Sequence, residues 1–341
     1  MVWLVVVWVS MVVVKGRRHT GFEPDRVSEA VAKVTGVTSR SRTTMPCPVD
    51  LPARFPPLGD TARETIRLRP RPGAPDARGS SLGGPLLWPT GEPWPTCDSP
   101  WCMLEDAHAP EKIPQGDSPL VAVLQIFRRH VPNLPFPDGC DVLQLLWCPF
   151  SHQAGEPLPR VVWRREADLD DAEPSYGTPH ADVPPESVPK PCTVAPERVI
   201  EYSSEELSRE QIGKLAELSD VLEAETGWDV WSDLLVAPGT KLGGHPSWVQ
   251  DPEWPICACG VRMEHLVTIA SWEYDGAFSR RWVPLEEQPL FDLAATAGEL
   301  FAQHPEIRRP HGMMLGDVGN FHVFVCASCP HRPTEHRWAC S

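Results

Sequence analysis

Four cysteines in the second half of this 341-residue chain have the types and spacing of a metal site: Cys257-Ala258-Cys259-Gly260 and Cys326-Ala327-Ser328-Cys329. Zn2+ takes four soft ligands in a tetrahedron, and two close cysteine pairs on separate turns supply them. Gly260 allows the backbone to turn tightly behind the ion. The Cys326/Cys329 spacing is that of a zinc knuckle, whereas the first pair has one intervening residue rather than two. Sixty-six residues separate Cys259 from Cys326. Closing that loop costs chain entropy, which a structural zinc, worth on the order of 10–16 kcal/mol in small peptides, offsets.

Three other fates compete for these thiols. Disulfides are disfavoured by the odd total of 11 cysteines and by the lack of a convincing secretory signal. A redox pair at Cys326 and Cys329 would need a thioredoxin-like strand, turn and helix, and the proline-bearing tail does not provide the helix. Four buried reduced thiols are the plainest alternative. A weaker second metal set is Cys97, Cys102, Cys148 and His152, with looser C-x4-C and C-x3-H spacing. Cys47, Cys140, Cys192 and Cys340 have no assigned role.

Catalytic motifs are scarce. Gly79-Ser80-Ser81-Leu82-Gly83 matches the G-x-S-x-G pattern that would make Ser81 a nucleophile, but Pro85 and Pro89 oppose the helix that must follow. No H-E-x-x-H and no glycine-rich nucleotide loop occurs. No catalytic residue is therefore assigned. A metal-dependent hydrolase is kept as an alternative, and it would need an open coordination position that four cysteines do not leave.

The elements that position these groups follow from an internal repeat. Leu82 to Cys97 aligns without a gap, at an offset of 160, to Leu242 to Cys257, with seven of sixteen positions identical, two Trp and one Cys among them. Apolar runs follow in the same order. Leu120–Phe127 and Asp141–Cys148 read as strands in the first copy, and His265–Ser271 and Phe321–Cys326 in the second. Between the copies, Ser203 with Glu206 resembles a capping box opening a helix that ends near Thr226-Gly227, with Leu207, Leu215, Leu218 and Leu222 on one stripe. The fold class expected is α+β: an internally duplicated unit with antiparallel sheets, few helices and zinc-knuckle-like cysteine pairs in the second half. Residues 45–164 form the first repeat, 165–202 an acidic Pro-rich linker and 203–341 the second repeat.

Forty prolines, about 12% of the chain against an average near 5%, exclude a helical bundle. The net charge is −15, and residues 165–226 hold 16 acidic against 5 basic side chains. Such a surface repels nucleic acid and suits a basic protein partner; as a single run it also reads as a solvated face. Trp88, Trp94, Trp248 and Trp254 lie close to prolines and form candidate partner-binding grooves, the alternative being that they pack the sheet edge beside the Gly-Gly turn.

Residues 1–14 are almost wholly apolar and precede Lys15, Arg17 and Arg18. The run is shorter than the roughly 20 residues of a spanning helix, and its charges follow it rather than lead it. A reverse signal anchor and an over-extended gene start, with translation from Met45, are the two readings. The second is favoured, so residues 1–44 are an extension outside the fold, the location expected is cytoplasmic, and stable membrane insertion is expected only if residues 1–14 are a genuine anchor.

The motifs Gly243-Gly244-x-Pro246-x-Trp248, Pro252-x-Trp254-Pro255-x-Cys257-x-Cys259-Gly260, Gly316-Asp317-x-Gly319 and Phe324-x-Cys326-x-x-Cys329 together resemble the YwqG-like bacterial family, which is related to eukaryotic programmed cell death protein 2. The resemblance spans about residues 45–341 and implies a duplicated α+β domain without an established catalytic centre. It implies metal binding by Cys257, Cys259, Cys326 and Cys329, while the first copy departs from the pattern. Its eukaryotic relatives are implicated in chaperoning a basic ribosomal protein, and some bacterial members sit in toxin and immunity neighbourhoods. The function expected is a non-enzymatic, zinc-stabilised, protein-binding or chaperone-like module acting on a basic client, with an immunity protein as a further alternative.

Overall fold

A computed structural model of the chain describes residues 27–31, 42–104, 111–152, 157–274, 280–294 and 296–340. In chain order its strands are β1 (Arg63–Arg67), β2 (Arg71–Pro72), β3 (Ser81–Leu82), β4 (Leu86–Pro89), β5 (Met103–Leu104), β6 (Glu111–Lys112), β7 (Val121–Phe127), β8 (Val142–Cys148), β9 (Leu158–Arg164), β10 (Ala172–Ser175), β11 (Cys192–Thr193), β12 (Glu197–Glu201), β13 (Lys241–Gly243), β14 (Glu264–Ala270), β15 (Asn320–Val325) and β16 (Thr334–Ala339). They form two six-stranded antiparallel sheets, β2-β11-β3-β7-β8-β9 and β12-β1-β13-β14-β15-β16, with the small pairs β10-β4 and β5-β6 beside them. Helices are few, so the protein is mixed α+β.

The sheets exchange strands. Residues 63–72 begin in the carboxy-terminal sheet as β1 and end in the amino-terminal sheet as β2; residues 192–201 make the reverse passage as β11 and β12. The two segments run antiparallel, from Arg63 opposite Glu201 to Pro72 opposite Cys192. At the crossing, the Leu68 amide donates to the Thr240 carbonyl (3.0 Å) and its carbonyl accepts from the Ala195 amide (2.8 Å). The stretch 165–202, expected to be an irregular connection, thus carries β10, β11 and β12.

Strand alternation sorts the crossing segment onto two faces. Ile66 and Leu68 enter the core between the sheets, among Val123, Leu145, Trp147, Val267, Ile269 and Phe321. Trp147 meets Phe321 edge-on at 5.6 Å. Arg67, Arg69 and Arg71 are also buried. Arg67 donates to the carbonyls of Trp282 (2.8 Å) and Glu273 (3.0 Å), Arg69 to Glu197 (2.9 Å), and Arg71 to Glu287. Burying three guanidiniums is tolerable only because each finds a carboxylate or carbonyl partner. Burial still pulls the Arg71 pKa down to about 10.

Residues upstream of Met45 take part in the same network. Arg42 donates to Glu287 at 2.9 Å, the Thr44 hydroxyl to Glu197 at 2.6 Å, and Val27 and Val31 pack with Leu290, Leu300 and Phe301. Residues 1–14 lie outside the described residues, among which no helix is long and apolar enough to cross a membrane.

The long helix starts later than its sequence suggests. It spans Arg209–Thr226 because Ser208, not Ser203, is the cap: the Ser208 hydroxyl accepts from the Gln211 amide (3.2 Å), and the Gln211 side chain accepts from the Ser208 amide (2.8 Å). Ser203 instead accepts from the Glu205 amide in a preceding turn (3.1 Å). Gly227, at φ 76°, stops the helix in the left-handed conformation that glycine adopts without strain. Leu215 and Leu222 are buried against Leu51, Leu58 and Val230, and Leu207 and Leu218 pack at the margin.

Candidate metal centres

Both expected ligand sets converge. In each of the groups Cys257, Cys259, Cys326, Cys329 and Cys97, Cys102, Cys148, His152, all four ligand atoms lie within 4.8 Å of one another. In the second-half group the Sγ atoms of Cys257 and Cys329 are 3.8 Å apart and those of Cys259 and Cys326 3.6 Å. A tetrahedron with Zn–S bonds of about 2.3 Å has S···S edges of about 3.8 Å, whereas a disulfide bond is about 2.05 Å. In the first-half group the Cys102–Cys148 sulfurs are 3.5 Å apart, and Cys97 Sγ lies 3.4 Å from His152 Nε2. An S···N edge about an ion of that size is about 3.6 Å. All eleven cysteines are free thiols. Either group could hold a metal ion.

Local backbone chemistry builds each centre. In the second-half group, the Gly260 amide donates to the Cys257 carbonyl (2.8 Å) and the Cys257 amide to the Val261 carbonyl (2.9 Å), closing a turn that Gly260 completes at φ 85°. Cys326 follows directly on β15, and its amide donates to the Pro333 carbonyl (2.9 Å). In the first-half group Cys148 is the last residue of β8, and the Met103 and Ser151 backbones exchange hydrogen bonds of 2.9 and 3.2 Å, which brings Cys102 beside the turn bearing His152.

Apolar side chains pack against the buried members of the two groups, while Cys259 is exposed. Trp88, Phe150, Leu146 and Ile113 pack with Cys97, Cys102 and Cys148. Trp248, stacked on Phe324 at 5.8 Å, and Trp254, edge-on to the same ring at 5.4 Å, pack beside Cys257 and Cys326. The tryptophans therefore act first as packing: Trp88 is buried, Trp94 lies against it at 4.9 Å, and Trp254 also lines a groove.

The crowded thiols shift one another. Cys97 is pushed up to about 12, first by its hydrogen bond with Cys148 and then by burial, and Cys102 to about 11 by burial. Cys329 rises to about 12 through hydrogen bonds with Cys259 and Cys326. For Cys326, burial works upward but is outweighed by hydrogen bonds from Cys257 and the Cys329 and Ser328 amides, leaving it at about 7. A cation in either group would replace this sharing of protons with four metal bonds, because thiols bind metal deprotonated.

The rejected G-x-S-x-G match is structural. Ser81 opens β3 and is buried, with no helix after it. Unforeseen were Arg67, Arg69 and Arg71, whose only signal is alternation with Leu68 and Pro70, and the buried Lys241–Glu201 pair. The sequence matches no family model and no curated protein.

Proposed function

We propose that the protein is a zinc-stapled, non-enzymatic scaffold that binds a basic protein client in a chaperone-like manner. The observation that carries this reading is the convergence of four protein donors in each set to within 4.8 Å of one another, with the closest pairs 3.4–3.8 Å apart. Shells of four cysteines, or of three cysteines and a histidine, are structural zinc environments, and a shell filled by side chains leaves no position for an activated water. Zinc in each group would tie the loop after a Trp-Pro segment to the turn that follows a central strand. A repeated unit, as the 160-residue offset suggests, would explain why the same device occurs twice. The basic client follows from the net charge of −15 and from the acidic stretch 165–226. The YwqG-like resemblance agrees with this reading.

Zinc per chain, measured by mass spectrometry on purified protein, is expected to be two, falling to one in Cys257→Ser and one in Cys102→Ser. A metal-free wild type whose variants unfold at the same denaturant concentration refutes the zinc scaffold. Capture from lysate at low and high salt tests the client: captured proteins no more basic than the lysate average refute that half.

A further inference from the structure

The Gly-Gly motif ends a strand early and leaves a slot in the carboxy-terminal sheet. β13 stops at Gly243, opposite Thr65 of β1, and its last partner on β14 is Val267. Its neighbours run on: β1 extends back through Glu64 and Arg63, and β14 through His265 and Glu264. Among the described residues no strand lies between those two ends.

The cause is local. Gly243 and Gly244 have φ of 64° and 67°, two consecutive left-handed residues that take the chain out of the sheet. The His245 amide then donates to the buried Glu201 carboxylate (2.6 Å), anchoring the departure. What remains is a groove of about 560 Å³ with β1 on one side, β14 on the other and Trp254, Arg262 and Met263 from the cysteine loop along its wall. With neighbouring strands about 4.8 Å apart, β1 and β14 are separated by about 10 Å there, the width of one extended chain.

The chemistry of the walls selects the occupant. Glu64, Glu206 and Glu264 line the groove and are exposed. Its two arginines are already engaged, Arg63 with Glu206 at 3.4 Å and Arg262 over the Trp254 ring at 3.8 Å. Carboxylate is thus in excess, beside an apolar Trp254–Met263 wall. We infer that this slot is where an extended segment of a basic protein docks, as an added strand antiparallel to both β1 and β14, with lysine or arginine at alternate positions facing Glu64 and Glu264. The inference rests on the basic-client reading above and gives it a location. Main-chain pairing supplies affinity in strand addition, and alternate side chains supply specificity.

The probe is a fluorescein-labelled peptide, Thr-Lys-Val-Lys-Val-Lys-Thr, followed by polarisation at low salt, with glutamine-for-lysine and backbone N-methylated versions beside it. Full-length protein is expected to bind the lysine peptide and to bind the other two at least tenfold more weakly. The double variant Glu64→Lys/Glu264→Lys, both positions being exposed, is expected to lose at least tenfold while keeping the wild-type unfolding midpoint and zinc content. Equal binding of the glutamine peptide overturns the charge selection, and equal binding of the N-methylated peptide overturns strand addition. If the double variant binds the lysine peptide as wild type does, or still captures basic proteins from lysate, the slot is wrong and the basic-client reading stands. If wild-type protein binds neither the peptide nor basic proteins, both fall.

Discussion

Replacing Lys241 by Met tests whether the interior around β1 is held by charge. Lys241 Nζ lies 2.9 Å from Glu201 Oε2, and neither side chain is accessible to solvent. At that distance, with an effective dielectric constant of about 20, the pair attraction is about 6 kcal/mol. Burial works against the lysine charge, and Glu201 works for it. In Lys241→Met the Glu201 carboxylate keeps two backbone donors, Ala237 (2.7 Å) and His245 (2.6 Å), so only part of the attraction is lost. The expected destabilisation is about 3–5 kcal/mol, the range for a buried ion left without its partner. Glu201→Gln, which strands an ammonium, should cost a similar amount. The double variant should be no less stable than either single one, because each single variant leaves a charge that the double removes. Urea unfolding followed by tryptophan fluorescence, at constant pH and with unchanged m-values, measures all three. Costs that simply add, or a Lys241→Met effect below about 1 kcal/mol, would refute the reasoning.

Four further outcomes are expected. Gly244→Ala places a Cβ against the Glu201 carboxylate and 2.6 Å from Thr65 Cβ at φ 67°, and should cost about 3 kcal/mol in urea unfolding, whereas Gly91→Ala, with open space around it, should be near neutral. Trp147→Ala, at the contact between the sheets, should cost about 3–5 kcal/mol in the same assay. Burial holds His311 and His322 at about 3, below their ordinary value, so each contributes stability that is complete above about pH 6.5 and is lost as pH falls toward 3, at about 1.4 kcal/mol per pH unit; unfolding midpoints at pH 7 and pH 5, with and without His322→Phe, would show whether that slope exists. Under the zinc reading, chelation should speed hydrogen exchange at the Gly260 and Met263 amides while leaving those of β7 and β8 protected; uniform exchange across all four would count against local stapling.

Much of the fold could be read from short-range pattern. The apolar runs at 120–127, 141–148, 265–271 and 321–326 became β7, β8, β14 and β15 to within a residue at either end, because strands buried on both faces are recognisable without their partners. The second-half cysteines could be read because C-x-C-G and C-x-x-C encode a turn at each pair. The looser first-half set gave a fainter signal, since its closeness depends on the Met103–Ser151 pairing, which no spacing rule reveals. The crossing segments were hidden for a different reason. Arg67, Arg69 and Arg71 look like solvent-facing positions until Glu197, Glu273 and Glu287, more than 100 residues away, are brought beneath them. The helix start failed by one capping box: Ser203/Glu206 and Ser208/Gln211 both fit the pattern, and the segment around the first is held in a turn by the Ser203 amide donating to Thr61 Oγ1 (3.1 Å).

The exchanged strands also dictate when this protein can fold. β11 lies between β2 and β3, so the amino-terminal sheet stays incomplete until residue 193 has been synthesised, although its long strands β7 and β8 are finished by residue 148. In the other direction β1, made early, has no sheet to join until β12 and β13 arrive, more than 130 residues later. Ribosomal synthesis therefore cannot deliver one half as a finished body before the other begins. The amino-terminal sheet has all its strands only at residue 193 and the carboxy-terminal sheet only at residue 339, so the nascent chain must carry apolar β7 and β8 without a partner sheet for much of its synthesis. Once closed, the sheets are tied by two paired crossing segments, residues 63–72 and 192–201, rather than by a single connection.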